Sequence, residues 1–72
     1  MARQPVFAIP LNRDSSTSLQ NQLSAVLKER IRSGIIASGT SLPSTRELAK
    51  DLGISRNTVV NAYDRLLGEG YL

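Results

Sequence analysis

The residues of this chain best suited to chemistry are neither acids nor nucleophiles. They are a run of hydrogen-bond donors, Ser55-Arg56-Asn57-Thr58, inside the stretch LGISRNTVVNAY from Leu52 to Tyr63. An arginine fork matches the guanine edge, an asparagine amide matches adenine, and a valine methyl can touch the thymine methyl. Ser55, Thr58 and the free N–H groups of a first helical turn suit a phosphate. Val60 and Asn61 extend the same face, and a smaller set, Ser44 and Arg46, stands in LPSTRE. Catalytic chemistry has few parts to work with. The chain has no histidine and no cysteine, which removes the usual general base, the usual zinc ligands and any thiolate or disulfide.

A phosphate loop is only imitated. Gly34 and Gly39 have the required spacing, and Ser41 stands where a magnesium-binding hydroxyl would be. Thr40, however, replaces the essential lysine, and a helical pattern precedes the loop where a strand is needed.

A length of 72 residues allows one small domain, marginally stable without a staple or a partner. The net charge of +3 suits a polyanion without requiring one, and all of it resides in residues 1–34. Residues 35–72 are neutral overall, so a nucleic-acid reading depends on where the cations sit. No apolar run approaches a membrane span, and VFAIPL is broken by proline and followed by Asn12 and Arg13. A soluble, cytoplasmic protein without a membrane partner is the expectation.

The elements that position the donors follow from periodicity. Residues 1–16, with Pro5, Pro10 and the polar run NRDSS, read as a flexible N-terminal arm, leaving 17–72 as the domain. A first helix is expected from about Ser18 to Ser33, with Leu19, Leu23, Val26, Leu27 and Ile31 on one face. Thr17 and Gln20 have capping-box spacing, and Gly34 suits the left-handed end. Lys28, Arg30 and Arg32 complement the helix dipole near its last turns. The segment TSL reads as a short strand. A second helix is expected at about Thr45 to Leu52, capped by Ser44 with Glu47 and closed by Gly53. Ser55 caps a third helix, in which Val59, Ala62, Tyr63, Leu66 and Leu67 form the buried stripe. Gly68 and Gly70 end that helix, and GYL reads as the start of a strand.

Two short helices joined by Gly53-Ile54-Ser55 are the sequence form of a helix-turn-helix. At about 100° per residue, Asn57, Asn61 and Asp64 lie opposite the apolar stripe, with Arg56 and Val60 towards a flank. In that motif the outward face enters the major groove with its N-terminal end leading. Each residue also has a plainer role. Ser55 works as a cap alone, Arg46 can pair with Glu47, Tyr63 belongs to the core, and Asp64 would repel a phosphate it faced.

LPSTRELAKDLGISRNTVVNAYDRLLGEGYL, with the upstream QLSAVLKERIRSGIIASG, resembles the winged helix-turn-helix domain of GntR-type bacterial transcription regulators. LPSTRELA, SRNTV and EGYL carry the resemblance, which covers about Leu19 to Leu72, and RNTVVNAY with LLGEGYL is most similar to the MocR subgroup. The resemblance implies a mainly α, three-helix winged helix-turn-helix fold and sequence-specific binding of double-stranded DNA by a transcription regulator, not an enzyme. It implies DNA contacts from Ser44, Arg46, Ser55, Arg56, Asn57 and Thr58. Val60 stands where many family members carry an arginine. It also implies a homodimer in the full-length protein and, in the MocR subgroup, a following domain that binds pyridoxal phosphate; this chain itself is expected to hold no cofactor or metal. The family domain continues past GYL into a wing, so the sequence reads as a fragment truncated before its wing. The alternatives are a winged-helix protein-interaction module and the N-terminal piece of a pyridoxal-phosphate-binding regulator.

Overall fold

The computed structural model describes residues 9–37 and 41–72, and among these three helices follow in order: α1 Leu19–Arg32, α2 Thr45–Leu52 and α3 Arg56–Gly68. α3 packs against both of the others. Leu23 and Leu27 of α1, Leu48 of α2, and Val59 and Leu66 of α3 are fully buried where the three faces meet. Each such side chain contributes about 1.5–3 kcal/mol relative to exposure.

α1 starts at a different cap from the expected one. Ser18 has extended backbone, and its Oγ accepts from the Asn21 N–H at 3.2 Å. The Thr17–Gln20 box does not form, because the Gln20 carboxamide oxygen accepts from Asn61 of α3, 3.0 Å away. Ser33 caps the end of the helix, and Gly34 follows it with φ of 87°. The following chain folds back: the Ile36 N–H donates to the Arg30 carbonyl at 3.0 Å, and the Ile36 side chain is buried.

α2 has the capping box expected of Ser44 and Glu47. The Glu47 N–H donates to Ser44 Oγ at 3.0 Å, and the Ser44 N–H donates to Glu47 Oε1 at 3.3 Å. Its other end is closed by Gly53 at φ 67°, a conformation costing an L-residue roughly 1–2 kcal/mol. The Gly53 N–H bonds to the Lys50 carbonyl at 3.3 Å and the Ile54 N–H to the Ala49 carbonyl at 3.0 Å, the paired pattern that reverses a chain after a helix. That reversal leaves room for only Ser55 before α3 begins.

α3 buries Val59, Ala62 and Leu66, but Leu67, expected in the stripe, is 57% exposed. Leu66 occupies the centre of the contact, and one further residue rotates about 100° away from it. Tyr63 is half-buried and its hydroxyl donates to the Pro43 carbonyl at 2.8 Å, tying α3 to the chain that enters α2. Burial pushes its phenol up to about 12.

The two expected strand starts are not strands among the described residues. Ser41 and Leu42 are unpaired backbone, and Thr40 and Gly39 lie outside the described residues. The chain at Gly70-Tyr71 is consumed in closing α3: the Tyr71 N–H bonds to the Leu66 carbonyl at 2.9 Å and the Gly70 N–H to the Leu67 carbonyl at 3.1 Å. A backbone N–H spent on a helix end is not available to a ladder.

Over residues 9–13, the segment read as an arm is seated on the helices; residues 1–8 lie outside the described residues. Ile9 is 7% exposed and Leu11 packs against the same core. The Asn12 N–H donates to Gln22 Oε1 at 2.8 Å, and Gln22 Nε2 donates back to the Asn12 carbonyl at 2.9 Å. The two apolar side chains supply the attraction, and the reciprocal pair satisfies backbone groups that the prolines leave outside any regular element.

The chain leaving α3 is latched to α1. Lys28 Nζ lies 2.7 Å from Glu69 Oε1 and 5.4 Å from the centre of the Tyr71 ring, and Arg65 reaches the other Glu69 oxygen at 3.4 Å. The Lys28 hydrogen bond, with Arg65 adding to it, lowers the Glu69 pKa below its ordinary value of 4.5. A lowered native pKa means the latch contributes fully above pH 4.5 and is lost as pH falls through the native value. In urea titrations the unfolding midpoint is therefore expected to drop on acidification by more in the native protein than in Glu69→Gln. Equal acid losses in the two would show that the latch adds nothing.

Candidate nucleic-acid interface

The donors singled out from the sequence stand at the N-terminal ends of α2 and α3. Ser55 has extended backbone and its Oγ accepts from the Thr58 N–H at 3.2 Å. The same oxygen lies 2.8 Å from Thr58 Oγ1. One of these hydroxyls donates to the other, and the other keeps its proton for an outside acceptor. Ser44 is likewise used as an acceptor in its cap, and its hydroxyl proton remains available. Ser44 and the Ser55–Thr58 pair therefore each hold a helix start together and still present one hydroxyl donor there.

Arg46, Arg56 and Asn57 are exposed, and among the described residues their side chains have no hydrogen-bond or ion-pair partner. The plainer reading of Arg46, a pair with Glu47, does not hold, because the Glu47 carboxylate is turned back to the Ser44 N–H. Arg56 is the first residue of α3, and Arg46 is the second of α2. α2 spans eight residues, so roughly 12 Å of helix separates its two ends.

Val60 is half-buried, which leaves part of its side chain outward. Asn61 is exposed, but its amide donates to Gln20 Oε1 of α1 at 3.0 Å. An amide so used cannot offer the paired donor and acceptor that adenine requires without releasing Gln20. Asn57 and Asn61, which share a face in the sequence, thus differ in the fold: Asn57 is unengaged and Asn61 is braced against α1. Asp64 is exposed, two turns into α3 from the donor-bearing end.

A further cation reaches the turn between α2 and α3, where the Arg13 guanidinium donates to the Gly53 carbonyl. The contact spans 40 residues of chain, and no periodicity links its two ends. The alternation of Ile9 and Leu11, which puts two apolar groups on one side of an extended segment, was the available sign that this segment lies on the core.

Three helices with a glycine-closed turn between the second and third, and a third helix presenting polar residues at its exposed start, define a helix-turn-helix domain. The chain belongs to the gntR family of bacterial regulatory proteins, whose pattern residues 19–72 match. It is 48% identical over 62 residues to the probable rhizopine catabolism regulatory protein MocR of Rhizobium meliloti, covering 86% of this chain and 13% of that protein. It is 47% identical over 64 residues to the pyridoxine biosynthesis transcriptional regulator PdxR of Corynebacterium glutamicum, covering 89% and 14%. Against the transcriptional repressor NagR of Bacillus subtilis the identity is 39% over 62 residues, covering 86% of this chain and 26% of that protein. The chain thus spans a small part of the length of each of these relatives. Among the described residues, no helix is long and apolar enough to cross a membrane.

Proposed function

We propose that this chain is the DNA-reading part of a bacterial transcription regulator, with α3 seated in the major groove of double-stranded DNA. The observation that carries the reading is the pair of exposed, unpartnered arginines, Arg46 and Arg56, at the starts of α2 and α3. Each stands beside a capped helix start that retains a hydroxyl donor. Arg56 and Asn57 then face base edges, and Val60 offers methyl contact. Ser44, Arg46, Ser55 and Thr58 take phosphates, while Asn61 sets the angle of α3 against α1.

The regulator to which such a part belongs works in the cytoplasm as a homodimer on paired half-sites, with an effector domain shifting how the two modules engage them. The resemblance to the MocR subgroup supports pyridoxal phosphate as the ligand of that domain. The lysines of this chain do not fit that cofactor: Lys28 is ion-paired with Glu69 and Lys50 is exposed on α2. Residues of another domain would hold it.

The test is binding to duplex DNA at several salt concentrations. Affinity that falls linearly with salt on logarithmic axes, together with preference for one sequence, is the expected result. Absence of salt-dependent binding would end this reading.

A further inference from the structure

The Arg13 guanidinium sits on the HTH turn, although Arg13 belongs to a segment that precedes all three helices. Three observations show that this placement is built. Ile9 and Leu11 anchor the segment in the core. Asn12 is held to α1 by its reciprocal bonds with Gln22. The Asn12 side chain also accepts from the Asp14 N–H at 2.9 Å, and the Ser15 N–H bonds to the Asn12 carbonyl at 3.3 Å, closing a turn with Arg13 at its second position. The turn places the Arg13 guanidinium on the Gly53 carbonyl, at the negative end of α2.

Gly53 lies two residues before Ser55, so its α carbon is within about 7.6 Å of that of the serine that caps α3. Arg13 uses one N–H on Gly53, and a guanidinium has five. Its remaining donors have no partner among the described residues, and the side chain is exposed. Asp14, the neighbouring carboxylate, is also exposed, and its backbone N–H rather than its side chain takes part in the turn.

From this geometry we propose that Arg13 is part of the DNA-binding surface: held on the Gly53 carbonyl, it takes a backbone phosphate beside the one met by Ser55 and Thr58. The proposal rests on the reading of α3 as the groove-entering helix. It makes the turn between Ile9 and Ser15 a third phosphate-contacting element, besides the starts of α2 and α3. Because the bond to Gly53 fixes the guanidinium before DNA arrives, little side-chain freedom remains to be lost on binding.

The experiment compares the full chain with Arg13→Gln and Arg13→Lys on a fluorescein-labelled mixed-sequence duplex across a salt series. Glutamine stays polar but carries no charge, and its amide is two bonds shorter than the Nη2 that bonds Gly53; lysine keeps the charge. Loss of one phosphate contact lowers the salt slope by about 0.9. Between about 50 and 200 mM salt, the affinity of the native chain should therefore fall about 3.5-fold further than that of Arg13→Gln. Arg13→Lys should keep the native slope. A role confined to capping α2 would lower the melting temperature and leave the slope unchanged. An Arg13→Gln slope equal to the native one would overturn the assignment of Arg13 while leaving the DNA reading intact. A native chain with no salt-dependent binding would overturn both.

Discussion

Leu66→Ala is expected to cost about 2–5 kcal/mol of folding stability, the range for a buried leucine whose cavity only partly collapses. Leu66 has no exposed surface and lies on the helix that packs against both of the others. A domain of this size has roughly 4–11 kcal/mol in total, at about 0.05–0.15 kcal/mol per residue. The variant should therefore be largely unfolded under mild denaturation and show a much earlier urea midpoint by circular dichroism. No disulfide opposes the loss, since the chain has no cysteine. Leu67→Ala is the matched control. The same deletion one residue along, at a side chain 57% exposed, should change stability by only about 0.5 kcal/mol. Comparable losses at the two positions would mean that the face of α3 has been assigned wrongly.

Arg56→Ala is expected to weaken binding to the preferred DNA sequence by about 1–3 kcal/mol, roughly 5- to 150-fold, and to relax preference at one base position. Arg56 has no internal partner among the described residues, and alanine is at least as good a helix former. The folded state should accordingly be as stable as the native one, so the loss cannot be attributed to unfolding. Selection from a randomised duplex pool, followed by titration of the recovered sequence, reads both quantities. A variant that kept native affinity and native preference would remove Arg56 from base reading. Uniform weakening on every sequence, with a shallower salt slope, would move it to the phosphates. Asn57, which is also unengaged, is the next position to compare, whereas Asn61→Ala should act through its brace on Gln20 of α1.

Local physics made much of this domain legible. Ser44 and Glu47 three residues apart, Gly53 at a chain reversal and Ser55 before a helical stripe each have a conformational consequence within one turn of chain, and the structure has them all. The face of α1 follows from its repeat, because the side chains that share a side are set by the helix itself. The amino-acid sequence alone thus determined three helices, the turn between the second and third, and the end of α3 that carries the donors. Where the local reading failed, a longer-range contact decided. Gln20 left the start of α1 to meet Asn61, so Ser18 became the cap. Tyr71 closed α3 through Leu66 in place of opening a strand.

Tertiary structure also sorted residues that look alike in the sequence. Asn57 is unengaged and Asn61 is bound; Leu66 is buried and Leu67 is exposed; Arg46 has no partner among the described residues, while Arg65 is paired with Glu69. Only the folded chain brings Arg13 to Gly53 across 40 residues. Sequence spacing determines which residues share a helix face, because that depends on one repeat. Which of those residues keep their donors for an outside partner depends on side chains brought in from other elements, and only packing sets that.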